Sequence, residues 1–457
     1  MSNEIVRAQK ANDMTVGSPV KLIIRFMIPM CLGNIFQQFY NIADSIVAGQ
    51  FIGVDALAAI GSTGSLMFFV TGWLNGLSSG FAILVSQWFG AKQYDRMRHY
   101  VAMSIYLCAA FAIAMTAGFL IVNEPILRLM NYSEGLLPDV KAYMAIIYAG
   151  LIVTAAYNAL ASFLRALGDS KSPLYFLIIS AVINVALDIV FIISFDMGVE
   201  GCAYATVIAQ GISALLCLVY IMKKYPILHL KKEDFHISFH SFGRLVALGI
   251  PMGLQFSITA IGTIIVQGAV NVYGEVYMAG FSAAGKLQNI ILTVFTAFGA
   301  TIATYVGQNR GAGKADRVRL GVKYTQIMIF AWSIFTMVLV YFGGKYMTWL
   351  FVSPSETEVV NVSVLYFHTV FWCYPFLGSI FIYRNTLQGM GYGLVPMLGG
   401  VFELAARTVI VMLVAGRASF VGVCLSDPAA WIAALIPLVP YYIYIMRKWE
   451  KSQQGQA

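Results

Sequence analysis

Between Lys21 and Met446 the chain alternates long apolar runs with short polar breaks. Each run is about 20 residues or longer, enough for an α-helix to cross a hydrocarbon core of about 30 Å. The alternating segments of about ten residues that mark a membrane barrel do not occur. The pattern predicts twelve transmembrane helices, over residues 21–49, 56–88, 99–123, 137–163, 172–195, 199–222, 242–271, 277–306, 321–347, 358–386, 394–415 and 425–446. Almost nothing is left over for a soluble domain. The first run is too long for a cleavable leader, contains Pro29 and lacks a small-residue cleavage pattern.

Composition agrees with the pattern. Hydrophobic residues make up 59% of the 457 positions and charged residues 11%, against roughly 25% charged in soluble domains. The expected class is an all-α integral membrane protein, multi-pass in the cell (inner) membrane. The net charge of +8 then reports topology rather than nucleic-acid binding. Alternate connections hold Lys92, Arg96 and Arg98, then Arg165 and Lys171, then Lys223 to Arg244, then Arg310 to Lys323, and Arg384. With the termini, that side carries most of the 29 basic residues, while the other holds Arg128, Lys141, Lys345 and Arg417. The positive-inside rule places both termini in the cytoplasm, as an even number of spans requires. The six cysteines fall in or at the edge of spans with no CxxC or Cys/His cluster, and read as packing residues.

The chain is written twice. "VSQWFGAKQYDRMR" (85–98) aligns without gaps to "VGQNRGAGKADRVR" (306–319), with seven of fourteen positions identical. Nearly the same offset sets "MIPMCLG" (27–33) over "GIPMGLQ" (249–255), and "LRALGDSKSP" (164–173) matches "LQGMGYGLVP" (387–396). Each half therefore has six spans running in the same direction. The expected division is an N-terminal lobe over 1–222, a basic cytoplasmic linker over 223–241 and a C-terminal lobe over 242–457. Two parallel six-helix halves are a transporter layout, with a site in or between the lobes and alternating access by rocking.

At these motifs the chain resembles a known family. The order "IP…YNIADSIVAGQFIG…LAAIG", "SQWFGAKQ", "LRALGDSKSP", "NVALDIVF", "GVEGCAYATVIAQ" and "VGQNRGAGKADR" is similar to multidrug and toxic compound extrusion (MATE) transporters. The closest pattern is the DinF-like branch, whose coupling acids lie in the N-terminal lobe. The resemblance implies two pseudo-symmetric six-helix lobes forming a V-shaped bundle. It also implies export of organic, mostly cationic, drugs in exchange for H⁺ or Na⁺.

The polar residues inside the spans give this reading its chemistry. Asn34, Gln37, Asn41 and Asp44 are spaced +3, +4, +3 and share one helical face of the first span. A carboxylate near a bilayer centre costs about 2.5–3.5 kcal/mol on insertion scales, so Asp44 must face a cavity or a partner. Asp188 follows Asn184 by one turn in span 5, Thr206 and Gln210 share a face of span 6, and Asn158 ends span 4. Carboxylate, amide and hydroxyl oxygens without a nearby base suit a hard cation such as Na⁺. They also suit protonation, because two acids in a low-dielectric pocket repel and share protons as a pair. Carried over residue by residue, the family's cation site falls on Asp44, Asn184, Asp188 and Thr206, which are also the candidate Na⁺ ligands. Tyr40, Gln37 and Asn158 would line it, with Asn41 and Gln210 beside them. Interhelical hydrogen bonding accounts equally well for Asn34 and Gln210.

Other features are plainer. Glu403 and Arg407 are i, i+4 with the acid first, the orientation of a structural ion pair; Lys286 joins them or snorkels to an interface. Phe36, Tyr157, Phe256, Phe295, Phe298 and Met252 are drug-contact candidates. Pro29 and Pro251 occupy equivalent places in spans 1 and 7, and Pro29 is a candidate hinge. The turns "GAKQ" and "GAGK" lack the strand–loop–helix setting of a phosphate cradle. No cofactor is expected, no nucleophile–base pair marks an enzyme, and the partners are drug molecules and the bilayer around a monomer. Two alternatives stay open: a lipid-linked oligosaccharide flippase of the same superfamily, which needs a basic cavity, and an uncoupled membrane channel.

Overall fold

The computed structural model describes residues 13–52, 60–61, 63–130, 132, 134–415 and 419–454, and all of their side chains except those of 40–46, 48–49, 65, 415 and 454. Among these residues every regular element is helical. The first half holds α1 (Pro19–Phe51), α2 (Gly64–Gly90), α3 (Tyr94–Leu129), α4 (Leu137–Ala149), α5 (Leu151–Ala166), α6 (Lys171–Ile189) and α7 (Gly198–Lys224). The second holds α8 (Phe239–Asn271), α9 (Glu275–Gly311), α10 (Ala315–Thr348), α11 (Thr357–Val370), α12 (Tyr374–Gly389), α13 (Leu394–Ala415), α14 (Phe420–Cys424) and α15 (Ser426–Gln454). Eleven helical stretches are long and apolar enough to cross a bilayer, and α4 with α5 makes a twelfth.

Three expected spans are not single straight helices. Residues 137–163 bend by 48° at Gly150. A Cβ there would sit 2.4 Å from Val207 Cγ2, so the glycine marks where α7 passes closest. The span over 358–386 breaks at a 3₁₀ turn, Phe371–Cys373, just before Pro375 opens α12. Proline has no N–H to donate and fits a helix's first turn. After Ile189, α6 continues as one π-turn, Val190–Ser194, immediately beyond Asp188.

The internal repeat is visible in the backbone. Ala91 and Ala312 close α2 and α9, Lys92 (φ 58°) and Gly313 (φ 71°) take the left-handed conformation, and Gln93 and Lys314 open the next helix. The hydrogen bonds match one for one: Lys92 N–H to Phe89 O (3.0 Å) and Gly313 N–H to Arg310 O (3.1 Å), Gln93 N–H to Trp88 O (3.1 Å) and Lys314 N–H to Asn309 O (2.9 Å). Gly168 (φ 87°) and Gly391 (φ 95°) form a second matched pair. After Gly168, the Asp169 carboxylate accepts from the Lys171 and Ser172 N–H groups (3.1 and 3.0 Å) and from Tyr225 Oη (3.0 Å), tying the start of α6 to the end of α7. The "LGDS" motif is thus a helix-reversal device.

Two compact units emerge. One holds Ile28–Gly253 and the residues up to Met14; the other holds Thr15–Met27 and the residues from Leu254 onward. The first has a core of Leu77, Phe81, Leu84, Met97, Phe163 and Leu164, continued by Leu74, Leu127, Met144, Tyr148 and Leu151. The expected linker belongs to this unit, where two short 3₁₀ turns lie against α3 and α7. In lipid, apolar side chains gain little by leaving the solvent, so helices associate through close backbone approach. Gly76 and Gly80 of α2 show this: a Cβ on either would lie 2.7 Å from the Cα of Gly253 or Gly249 of α8. The α2 glycines let the α8 backbone approach, and the Trp73 and Phe81 rings of α2 fill the space beside Gly253 and Gly249. In the second unit α9 packs on α10, α11 and α12, and α13 on α15.

Candidate cation site

Helix α6 meets α7 through a ladder at four-residue spacing. Ser213 Oγ donates to the Phe176 carbonyl (3.2 Å), and Ser180 Oγ donates to the Ala209 carbonyl (2.7 Å). One turn further, Asn184 faces Thr206, and another turn on stands Asp188. The rungs fix the rotation of α6, so the polar stripe points into the bundle rather than at lipid. Asn184 and Asp188 are 0% exposed and Thr206 6%. With the Asn184 amide turned to satisfy both neighbours, its nitrogen donates to Asp188 Oδ2 (3.2 Å) and its oxygen accepts from the Thr206 N–H (3.3 Å). Asn184 therefore orients the carboxylate while being held by α7. The π-turn that follows Asp188 widens the helix at the same level.

Other expected site residues are placed differently. Gln210 is engaged by Thr154 Oγ1, so it clamps α5 to α7. Asn158 is half-buried on α5, and Gln37 is exposed on α1. Tyr40, Asn41 and Asp44 fall on α1, but their side chains lie outside the described residues. Pro29 is buried within an unbroken α1. Phe295 and Phe298, read from sequence as drug contacts, are 0% and 4% exposed; Phe295 stacks on Phe381, which makes it core.

The second unit holds a charge network that sequence spacing only began to show. Glu403 and Arg407 are 4.0 Å apart, but each has a closer partner. Glu403 pairs with Arg384, and Arg407 Nε lies 3.1 Å from Asp427 Oδ1. The Tyr366 hydroxyl donates to Asp427 Oδ2 (2.9 Å) and lies against Gln288. All four charged residues are at most 9% exposed, two acidic and two basic. Arg384, assigned above to a cytoplasmic connection, is thus an interior residue of α12, and Lys286 stays outside, exposed, 5.6 Å from the Phe351 ring centroid. Asp427 was missed. Its only sequence signal is an acid in the first turn of the last span, where a helix dipole is reason enough for one. The offset that pairs Gly168 with Gly391 carries Asn184 onto Arg407 and Asp188 onto Val411. A balanced ion-pair network thus occupies the second half where the first has an amide and an acid.

Comparison with known proteins fixes the class. The MatE family profile matches residues 29–190 and 251–414, one match in each half. The chain belongs to the MATE family, whose members are transporters rather than enzymes. It is 30% identical over 386 residues to the probable multidrug resistance protein YpnP of Bacillus subtilis, covering 84% of this chain and 85% of that one. It is 27% identical over 462 residues to the probable multidrug resistance protein YoeA of the same organism, covering 99% and 98%. The fold matches that of a MOP superfamily transporter from Pyrococcus furiosus with a TM-score of 0.89 at 18% identity, over 98% of this chain and 99% of that one. For that protein a reversed polarity of the binding pocket is described as suggesting a different function.

Proposed function

We propose that the protein is a secondary active antiporter that exports organic, mostly cationic, drugs in exchange for H⁺ or Na⁺ by alternating access. The observation that carries this reading is the Asn184–Asp188–Thr206 cluster, fully inside the first unit and inside the bilayer spans. Asp44, on the neighbouring α1, completes the coupling site in this reading, with Tyr40, Gln37, Asn41 and Asn158 around it. A carboxylate at that depth is retained where a cation neutralises it for part of a cycle. An incoming H⁺ or Na⁺ and an outgoing organic cation compete for the same negative charge, and that reciprocity gives exchange. The membrane potential adds about 2.3 kcal/mol per charge per 100 mV. The relatives' description as probable multidrug resistance proteins supports drugs as the cargo.

Pro29 serves as the hinge. It lies within two residues of the point where α1 passes from one unit to the other, and Pro251 stands in the same relation on α8. Both termini face the cytoplasm on the charge asymmetry of the connections. The transporter works as a monomer without a cofactor, since one chain supplies both halves.

Dye efflux from proteoliposomes tests the reading, with a pH gradient or a Na⁺ gradient imposed alone. Efflux driven by one gradient and lost in Asp44→Asn and Asp188→Asn is the expected result. A potential-driven ion current with no efflux would replace the antiporter with a channel.

A further inference from the structure

The connection between α7 and α8 builds a second site. Its 3₁₀ turn Lys232–Phe235 ends in an extended residue, His236 (φ −61°, ψ 131°). From there the side chains alternate. Phe235, Ile237 and Phe239 are 37%, 65% and 86% exposed, whereas His236, Ser238 and His240 line a pocket of about 590 Å³. The remaining walls are Trp88 at the end of α2, the first turns of α3 and the first turns of α8.

The charges there form two sets. Arg98 is buried and committed to Asp95 and to Asp234 (3.1 Å). His99 is likewise held, with Nδ1 3.1 Å from the Asp234 carbonyl oxygen and Nε2 3.0 Å from Ser241 Oγ. Arg96 and Arg244 are exposed and have no carboxylate partner among the described residues; Arg244 donates to Tyr100 Oη (3.3 Å). Both guanidinium groups gather on one indole, 4.9 and 5.9 Å from the Trp88 ring centroid. Two guanidinium groups without a carboxylate partner that line one pocket favour an anion there, held by charge-assisted hydrogen bonds. Of the three carboxylates lining the pocket, Asp95 and Asp234 are engaged by Arg98, which leaves Glu233, exposed, as the charge opposing Arg96 and Arg244.

We propose that this pocket binds the phosphate headgroup of an anionic phospholipid, with Arg96 and Arg244 on the phosphate and Phe235, Ile237 and Phe239 in the headgroup–acyl boundary. Only the reading of α2, α3 and α8 as membrane spans is needed, because the pocket lies at their ends, cytoplasmic in the topology proposed above. A soluble phosphate would leave the three apolar side chains facing water. The apolar strip also continues toward the membrane. Phe235 packs edge-on against Tyr106 of α3 (6.0 Å), itself 40% exposed, and Ile113 two turns on is 58% exposed. Basic pockets beside apolar interfacial segments at the ends of spans are the pattern by which anionic headgroups are held.

Native mass spectrometry of the full-length protein in detergent tests this, titrating phosphatidylglycerol and phosphatidylcholine in turn. Phosphatidylglycerol should be retained in preference, and the double variant Arg96→Gln/Arg244→Gln should weaken its retention about thirtyfold, the factor two cations supply near an anionic surface. The exposed variant Ile237→Ser should weaken it as well while keeping the wild-type melting temperature. Equal retention of the two lipids, or unchanged retention in the double variant, would overturn the proposal. Displacement of the lipid by an equal concentration of inorganic phosphate would also overturn it, by making the ligand a soluble anion. Transport is not read, so a protein that retains the lipid but shows no efflux strikes only the antiport reading.

Discussion

With the Asn184 amide oriented to satisfy both neighbours, its nitrogen lies 3.2 Å from Asp188 Oδ2, one helical turn away and wholly out of contact with solvent. The amide is itself anchored on the Thr206 backbone of α7, so the carboxylate is aimed by a group that cannot swing away.

Asp188→Asn keeps the shape and removes the charge. Gradient-driven efflux in this variant should fall to the background of empty liposomes. Its melting temperature should hold or rise, because a buried carboxylate carries a desolvation penalty that the amide lacks. Efflux and differential scanning fluorimetry on one preparation check both halves of the prediction.

Asn184→Ala should spare the fold and loosen the site. Losing a hydrogen bond to a charged group is worth about 1.5–3 kcal/mol, which corresponds to a shift of about 10- to 150-fold in the half-saturating concentration of the coupling ion. Thr206→Val should shift it far less, since the Thr206 contact to the amide oxygen is made by the main chain. Equal effects of the two substitutions would count against this geometry.

The ion network of the second unit should behave as structure. Glu403→Ala leaves Arg384 and Arg407 with a single acid, and removing one member of a buried pair costs about 3–5 kcal/mol. Replacing Arg384 and Glu403 together by methionine should recover much of that loss. Thermal unfolding of the single and double variants measures the difference.

The matched turns predict opposite signs at equivalent positions. Lys92→Gly relieves a left-handed lysine and should raise stability by up to about 1–2 kcal/mol, less the extra freedom of the unfolded chain. Gly313→Ala introduces the same strain and should lower it by a similar amount. Melting temperatures of the two variants, compared with wild type, decide the matter.

Gly76→Leu should not accumulate as a folded protein. Its side chain would meet the α8 backbone, where a Cβ alone already reaches 2.7 Å, and main chain has nowhere to move. Gly118, which has open space around it, is the control: Gly118→Leu should express normally. Membrane yield by fluorescence size exclusion compares the two.

What the sequence showed followed from periodicity. Apolar runs set the spans, an offset set the repeat, and the four-residue spacing of Asn184 and Asp188 put them on one face. Breaks at Gly150 and before Pro375 were hidden because hydropathy does not register a bend within an apolar run. The bonds of Arg384 and Arg407 were hidden for another reason: Glu403 and Asp427 lie 19 and 20 residues along the chain from them, on other helices. Spacing reports neighbours on one helix and is silent across three. The pocket beside Trp88 combines both cases, since its alternation "FHISFH" is plain in the sequence but its arginines come from separate helices.

Residues 15–27 count with the second unit, and the start of α8 up to Gly253 counts with the first. Each copy of the duplicated sequence has thus lent the other a piece of itself. A polypeptide severed near Leu230 would give two fragments, each missing a stretch of its own core and carrying one that belongs elsewhere. Such fragments should be degraded when made singly and should recover only when made in the same cell.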